Sequence, residues 1–396
     1  NGLYNIFCGS TTGSINTTGN YNCAMGHHAL QYNTTGGYSF ASGYYALYSN
    51  TTGGWNTAIG NSALYSNTAG ICNCAIGASA LRSNTTGSWN TAIGNSALQA
   101  NTTGGSNCAI GTNALYANTT GANNTAIGNS ALQTNTTGAS NAAIGYAALQ
   151  GNTIGNNNVA IGYQALTANT SGDHNYAFGS RALASNLIGI GNFAAGINAL
   201  QTSTASYNTA IGYTALQANT TGASNCAIGE GALYTNTTGG YNCAIGYETL
   251  KANTTGGSNT AIGYHALYLN TGDYNCAIGR EALSNSTTPV GNTGIGYRAL
   301  YGTTTGQYNT AIGFSALYTN TVASDNVAIG VYAMQFTTTG ASNCAIGHEA
   351  LYTNVDGANN IAIGWRALKL NVSGTENVAL GFQLLLNTSG SNNFAV

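Results

Sequence analysis

Asn56-Thr57-Ala58-Ile59-Gly60-Asn61-Ser62-Ala63-Leu64-Tyr65-Ser66-Asn67-Thr68-Ala69-Gly70-Ile71-Cys72 is one period of a pattern that fills the chain, and the next opens at once with Asn73-Cys74-Ala75-Ile76-Gly77. The glycines closing each Ala-Ile-Gly run from Gly26 through Gly43, Gly60, Gly77 and onward to Gly196 in steps of 17 residues. The step to Gly212 is 16; the spacing of 17 resumes through Gly263, slips once more at Gly279, and continues to Gly381. A shortened turn absorbs such a slip, whereas a packed strand does not. We number the period 1 to 17 from its first Asn, so that Asn56 is position 1 and Cys72 position 17.

A period this short cannot hold a helix pair, and it falls below the roughly 20–29 residues of a leucine-rich repeat. It predicts one turn of an all-β, parallel β-solenoid (a β-roll), with two short strands of four or five residues joined by two Gly/Asn turns. A single coil is too small to bury its own apolar side and needs neighbours above and below it. About 23 such coils rising about 4.8 Å each make a rod of about 110 Å. The stretch Tyr-x-Ala-Leu-x-x-Asn has a second reading as one helical or 3₁₀ turn, because Ala and Leu favour helix.

Within this frame, position 4 is Ile in most coils (Ile59, Ile76, Ile93) and position 9 is Leu (Leu64, Leu81, Leu98). Both are expected to stack as apolar ladders in the interior. Positions 3 and 8 are nearly always Ala, Gly294 being an exception, which implies close backbone approach within a thin coil or against a partner chain. Position 1 is Asn (Asn56, Asn73, Asn90) in every complete coil but the one opening at Ser39, and position 12 is mostly Asn as well. Asn tolerates left-handed backbone at turns, and stacked amides one strand spacing apart hydrogen-bond along the axis.

Composition narrows the function. Asp, Glu, Lys and Arg make up 4% of 396 residues, with a net charge of −2, against roughly 25% in an ordinary domain. No field of that size steers the chain to nucleic acid. Asn, Thr or Gly interrupts every apolar run, so membrane insertion is not expected. The nine acids and five histidines are dispersed, as with Asp173, Glu230 and Glu248 or His27, His174 and His348. Glycosidase chemistry needs carboxylates gathered in one cleft, so no catalytic residue, metal or cofactor is expected. The adjacent His27 and His28 are read as pointing to opposite faces of a strand.

Seven of nine cysteines stand at position 2, where other coils carry Thr, Val or Ala, and are read as small half-buried hydrophobes. Cys226 and Cys243 fall in consecutive coils, close enough for a disulfide, with a structural thiol as the other reading. Asn33, Asn50, Asn84, Asn101, Asn118, Asn135, Asn219, Asn236 and Asn253 each head Asn-Thr-Thr, the glycosylation acceptor pattern. The same residues are also explained by ladder and turn chemistry. Tyr occurs 26 times, concentrated at positions 6 and 10, and suits either carbohydrate stacking or plain stacking along a flank.

The Asn-x-Ala-Ile-Gly core resembles the head repeats of YadA-like trimeric autotransporter adhesins, and the longer Asn-Thr-Ala-Ile-Gly-Tyr-x-Ala-Leu-x-x-Asn-Thr-Thr-Gly form is similar to repeats of bacterial and phage tail-fibre-like proteins. The resemblance implies a left-handed roll and trimerisation. Residues 1–396 are expected to form one repeat domain without caps, a segment of a longer chain or a unit of a filament. The expected function is an extracellular structural or adhesive fibre segment at a cell or virion surface. Its expected partners are itself, as homotrimer or head-to-tail filament, and a carbohydrate or cell-surface ligand. The alternative is an ice-binding solenoid using the Thr-Thr rank, against which Ile154, Val322 and Asp356 count as interruptions.

Overall fold

The computed structural model describes residues 2–386 and 390–396. The chain is an all-β parallel solenoid with a period of about 17 residues and no helix among the described residues. It divides into two compact units, Asn1–Ile197 and Asn198–Val396. The first carries twelve described strands, from Ile6–Cys8 to Phe193–Ala195. The second carries twelve more, from Thr209–Ile211 to Phe394–Ala395. Within each unit every strand pairs in parallel with its counterpart one coil on, as when Thr57, Ala58 and Ile59 align with Cys74, Ala75 and Ile76.

Each described coil but the last holds one strand of three residues, at positions 2 to 4, and not the two longer strands expected; the last strand holds two residues, Phe394–Ala395. Positions 5 to 11 form consecutive turns, so among the described residues neither a second strand nor a helical turn is present there. The cause lies in the backbone. Position 5 is Gly with φ near +130° (Gly60, +133°), and positions 7 and 9 are left-handed even when occupied by Ser62 (+55°) or Leu64 (+51°). A left-handed L-residue costs about 1–2 kcal/mol; bonds between coils hold it. Leu64 N–H donates to Ala80 O at 3.0 Å, and Ser62 N–H to Tyr44 O at 2.9 Å. Three successive amides, of Thr68, Ala69 and Gly70, converge on Thr85 O at 2.9, 3.1 and 3.3 Å. The second unit repeats this arrangement, with Thr220, Thr221 and Gly222 all donating to Thr237 O.

The interior is lined by Asn at 1, Ala at 3 and 8, Leu at 9 and Asn at 12, with Leu64, Leu81 and Leu98 fully buried. The Ile ladder is not inside. Ile59, Ile76 and Ile93 are 37, 36 and 36% exposed, while Ala58, Ala75 and Ala92 are fully buried. Strand residues alternate faces, so only one of positions 3 and 4 can point inward. Leu already occupies most of the narrow lumen, which leaves room for Ala. At Gly294, which replaces that Ala, an added Cβ meets Leu283 Cδ1 and Ala299 O at 3.2 Å. The coil opening at Asn5 solves the same problem in reverse: Phe7 stands at position 3, and Gly13, at position 9, makes way for its ring.

Gly294→Ala tests this packing. The methyl already fits at the equivalent position of neighbouring coils, so the gain is about 0.8 kcal/mol for the buried carbon plus about 0.4–1 kcal/mol from a stiffer unfolded chain. Chemical denaturation is expected to show stabilisation. A destabilised variant would mean that this coil is drawn tighter than its neighbours.

Candidate functional site

Buried amides are the most regular polar feature. In the first unit Asn67 Nδ2 donates to Asn50 Oδ1 at 2.8 Å and to Gly70 O at 3.0 Å, and Asn84 Nδ2 donates to Asn67 Oδ1 at 2.8 Å. This position-12 ladder runs from Asn16 to Asn186. A second ladder uses position 1: Asn56 Nδ2 donates to Gly70 O at 2.8 Å, and Asn56 Oδ1 accepts from Asn73 N–H at 2.9 Å. Asn56, Asn73 and Asn90 are thus buried axial links.

In the second unit the position-12 ladder is interrupted. Around the shortened turn Asn270 bonds to Gly272 O, two residues on, and Asn253 Oδ1 is buried without a partner. Ser286, Thr303 and Thr337 stand at the same position, and their hydroxyls are likewise buried and unpaired.

The sequon asparagines lie within these ladders. Asn33, Asn50, Asn84, Asn101, Asn118, Asn135, Asn219, Asn236 and Asn253 are all fully buried. Asn101 Nδ2, for example, donates to both Asn84 Oδ1 and Gly104 O. A glycan on that nitrogen would remove a donor and force the coil open, which supports the ladder-and-turn reading of these residues.

Of the two readings of the position-2 cysteines, the structure carries the thiol. Cys226 and Cys243 are directly paired in neighbouring strands, and both thiols are free. In-register parallel neighbours project side by side about 4.8 Å apart, wider than the roughly 3.8 Å between Cβ atoms that a disulfide favours. Burial pushes the thiols of Cys74, Cys108, Cys226, Cys276 and Cys344 up, which keeps them protonated and unreactive near neutrality.

Charge is gathered on one flank, a grouping the sequence scan missed. Glu248, Glu281 and Glu349 all occupy position 7, each with a basic group at position 7 of the following coil. Arg298 Nε donates to Glu281 Oε2 at 2.6 Å, Arg366 Nε to Glu349 Oε2 at 2.6 Å, and His265 Nε2 lies 3.1 Å from Glu248 Oε2. Lys251 and Lys369, at position 10, complete two of the groups. Listing the charges by coil position would have revealed the pairing. Among the described residues no three His, Cys, Asp or Glu side chains converge as a metal site.

Hydrogen bonding from Lys251 holds the Glu248 carboxyl below the usual range against some desolvation. For Glu281 and Glu349 desolvation is the largest single influence and acts upward, but their paired cations together outweigh it and the net shift is down. A depressed carboxyl stabilises the fold above its unfolded pKa of about 4.3, and that stability is lost as pH falls through the folded value. Eight of the nine acids lie beyond residue 197, Asp173 being the exception. Hydrogen exchange is therefore expected to be unchanged from pH 8 to about 5.5 and, below about pH 4.3, to rise first in the second unit. Simultaneous loosening of both units, after correction for intrinsic exchange rates, would contradict this.

In each unit the aromatics stand at coil positions 6 and 10. Tyr146–Tyr163 and Tyr247–Tyr264 stack at 5.4 and 5.5 Å, Tyr297–Phe314 at 4.9 Å, and Tyr301–Tyr318 at 5.2 Å. In the first unit His27 and His28 also lie together, with ring centroids 3.8 Å apart. They occupy the turn after the strand, and the left-handed backbone at His28 (+59°) brings both rings to one side.

A second aromatic file runs at position 17: Tyr4, Tyr21, Tyr38 and Trp55 stack at 5.1, 4.9 and 5.3 Å. No helix among the described residues is long and apolar enough to cross a membrane. No protein-family model matches the chain, and no curated protein matches it.

Proposed function

We propose that this chain is a structural and adhesive fibre segment exposed at a cell or virion surface, which associates with further copies of itself and presents its Asn, Thr and Tyr faces for attachment. The observation that carries this reading is the Ile stripe. Position 4 places an apolar side chain on the outer face of the parallel sheet in coil after coil, more than a third exposed at Ile59, Ile76 and Ile93, and an extended apolar surface of that kind marks an association site. Little charge opposes close approach of a second copy. The resemblance to trimeric adhesin heads fits three chains meeting along these stripes. The acids that do gather are paired with Arg, Lys or His, and give no support to a catalytic role.

The ice-binding alternative draws less support. The Thr hydroxyls at position 13 are turned onto backbone, as when Thr51 Oγ1 donates to Thr68 O at 2.9 Å and Thr102 Oγ1 to Thr119 O at 3.0 Å. That leaves position 14 as the exposed rank, and it is broken by Ala69, Ile154 and Val322.

The double variant Ile76→Lys/Ile93→Glu tests self-association. The two positions are cross-strand neighbours, so the opposite charges support each other within one chain but are expensive to bury against another. Light scattering is expected to give a multiple of the chain mass for the wild type and a single-chain mass for the variant, with unchanged circular dichroism. A wild type of single-chain mass at all concentrations, with no filaments by electron microscopy, would remove the proposal.

A further inference from the structure

The aromatic file at position 17 has a gap one ring wide. Tyr4, Tyr21, Tyr38 and Trp55 occupy successive coils, nearly parallel, with interplanar angles of 11, 17 and 1°. The next coil places Cys72 at this position, and the one after it returns to an aromatic, Trp89. Trp55 and Trp89 are 60 and 65% exposed and wall a surface slot whose floor is Cys72 and Ile71. Two strand spacings place the indoles about 10 Å apart, so a ring midway lies about 5 Å from each. That distance falls within the range of about 4.5–7 Å over which aromatic pairs attract.

We propose that the Trp55–Cys72–Trp89 slot is a binding site for a planar aromatic ring, which completes the stack in the register its neighbours already keep. The lining decides between a flat aromatic and a sugar ring. Apart from the indole N–H groups, the lining offers an isoleucine and a weakly bonding thiol, little to pair with an inward-facing sugar hydroxyl, and an unpaired buried hydroxyl is costly. An aromatic ring asks for no such partner, and the Cys72 sulfur lies where it can contact the ring edge. The rhythm of one ring and one small residue recurs in the second unit at Tyr207, Ser224, Tyr241, Ser258 and Tyr274. There Ser224 and Ser258 carry hydroxyls, and at Gly291, the next member of the file, the Tyr308 ring lies against the glycine and takes up the space. The site does not depend on the fibre reading.

Titration with 2-naphthol, followed by tryptophan fluorescence in a Trp365→Phe background, tests the site directly. Trp365 is stacked on Phe382 at 4.8 Å and would only add signal. Saturable binding of one probe per chain is expected. Cys72→Tyr, which supplies the missing ring from within, is expected to weaken binding at least about ten-fold; Trp89→Ala removes a wall and acts likewise. Cys72→Ala leaves the slot open and keeps the binding. Circular dichroism confirms that each variant folds. No saturable binding up to the solubility of the probe would overturn the proposal. So would equal binding by Cys72→Tyr and wild type, or preferential binding of a glucan oligosaccharide.

Discussion

Gly94→Ala is expected to lower stability by about 3–5 kcal/mol and to open the coils on either side of it. Gly94 has φ +135°, and a Cβ built there lies 2.6 Å from Gly111 O and 2.7 Å from Gly111 C, both backbone atoms of the next coil. The alanine must leave that backbone region, at a cost of about 1–3 kcal/mol. It also displaces the 2.8 Å bond from Gly94 N–H to Ile76 O, and each buried group left unpaired costs about 1–3 kcal/mol more. Gly87→Ala is the control. It stands at position 15, where φ is ordinary and where other coils carry Pro289 and Ala323. A Cβ at Gly87 would lie 2.5 Å from Gly104 O, so the crowding is comparable, but no positive-φ strain adds to it. Denaturant unfolding with residue-resolved hydrogen exchange separates the two. Equal losses would show that crowding alone, and not backbone conformation, makes position 5 glycine throughout.

That glycine was legible in the sequence because it recurs without substitution, and a left-handed or extended positive-φ site is the ordinary reason for such a residue. The solenoid, its period, the shortened turns, the Leu ladder and the buried Asn were legible for the same reason: each marks a position of the repeat. What hydropathy could not supply was the phase of the strand. Positions 3 and 4 are both apolar, and size alone favours Ile over Ala for the core. Only the width of the lumen, already filled by Leu64 and its equivalents, reverses the choice. The turns of positions 5 to 11 were hidden for a different reason. Leucine at φ near +50° opposes its own local preference, and the bonds between coils that impose it have no signature in a single period. The sequons were visible, but whether their nitrogens faced water was not. The Trp slot is apparent only once residues 55, 72 and 89 are known to share one file.

Asn101→Leu is expected to cost about 3–6 kcal/mol, although leucine has the same branched arrangement of side-chain heavy atoms and is more apolar. Three bonds disappear: Asn101 Nδ2 to Asn84 Oδ1 at 2.8 Å, Asn101 Nδ2 to Gly104 O at 2.9 Å, and Asn118 Nδ2 to Asn101 Oδ1 at 2.9 Å. Gly104 O keeps its bond from Asn90 Nδ2, so the penalty comes chiefly from Asn84 Oδ1 and one Asn118 proton, both sealed in the interior and each worth about 1–3 kcal/mol unpaired. In a stack where each coil touches only its neighbours, such damage is shared locally. The expected signature is a lower unfolding midpoint with a shallower transition, and hydrogen-exchange protection lost around residues 84–118 while coils nearer Asn16 keep theirs. The reciprocal substitution Thr303→Asn gives the opposite sign. It replaces a buried, unpaired hydroxyl with an amide oriented to accept from Asn320, and a gain of about 1 kcal/mol is expected. Asn101→Leu without a stability loss would mean that the amide ladders follow the coil stack rather than hold it. A loss at Asn101 together with a gain at Thr303 would place the axial cohesion of these coils in their asparagines.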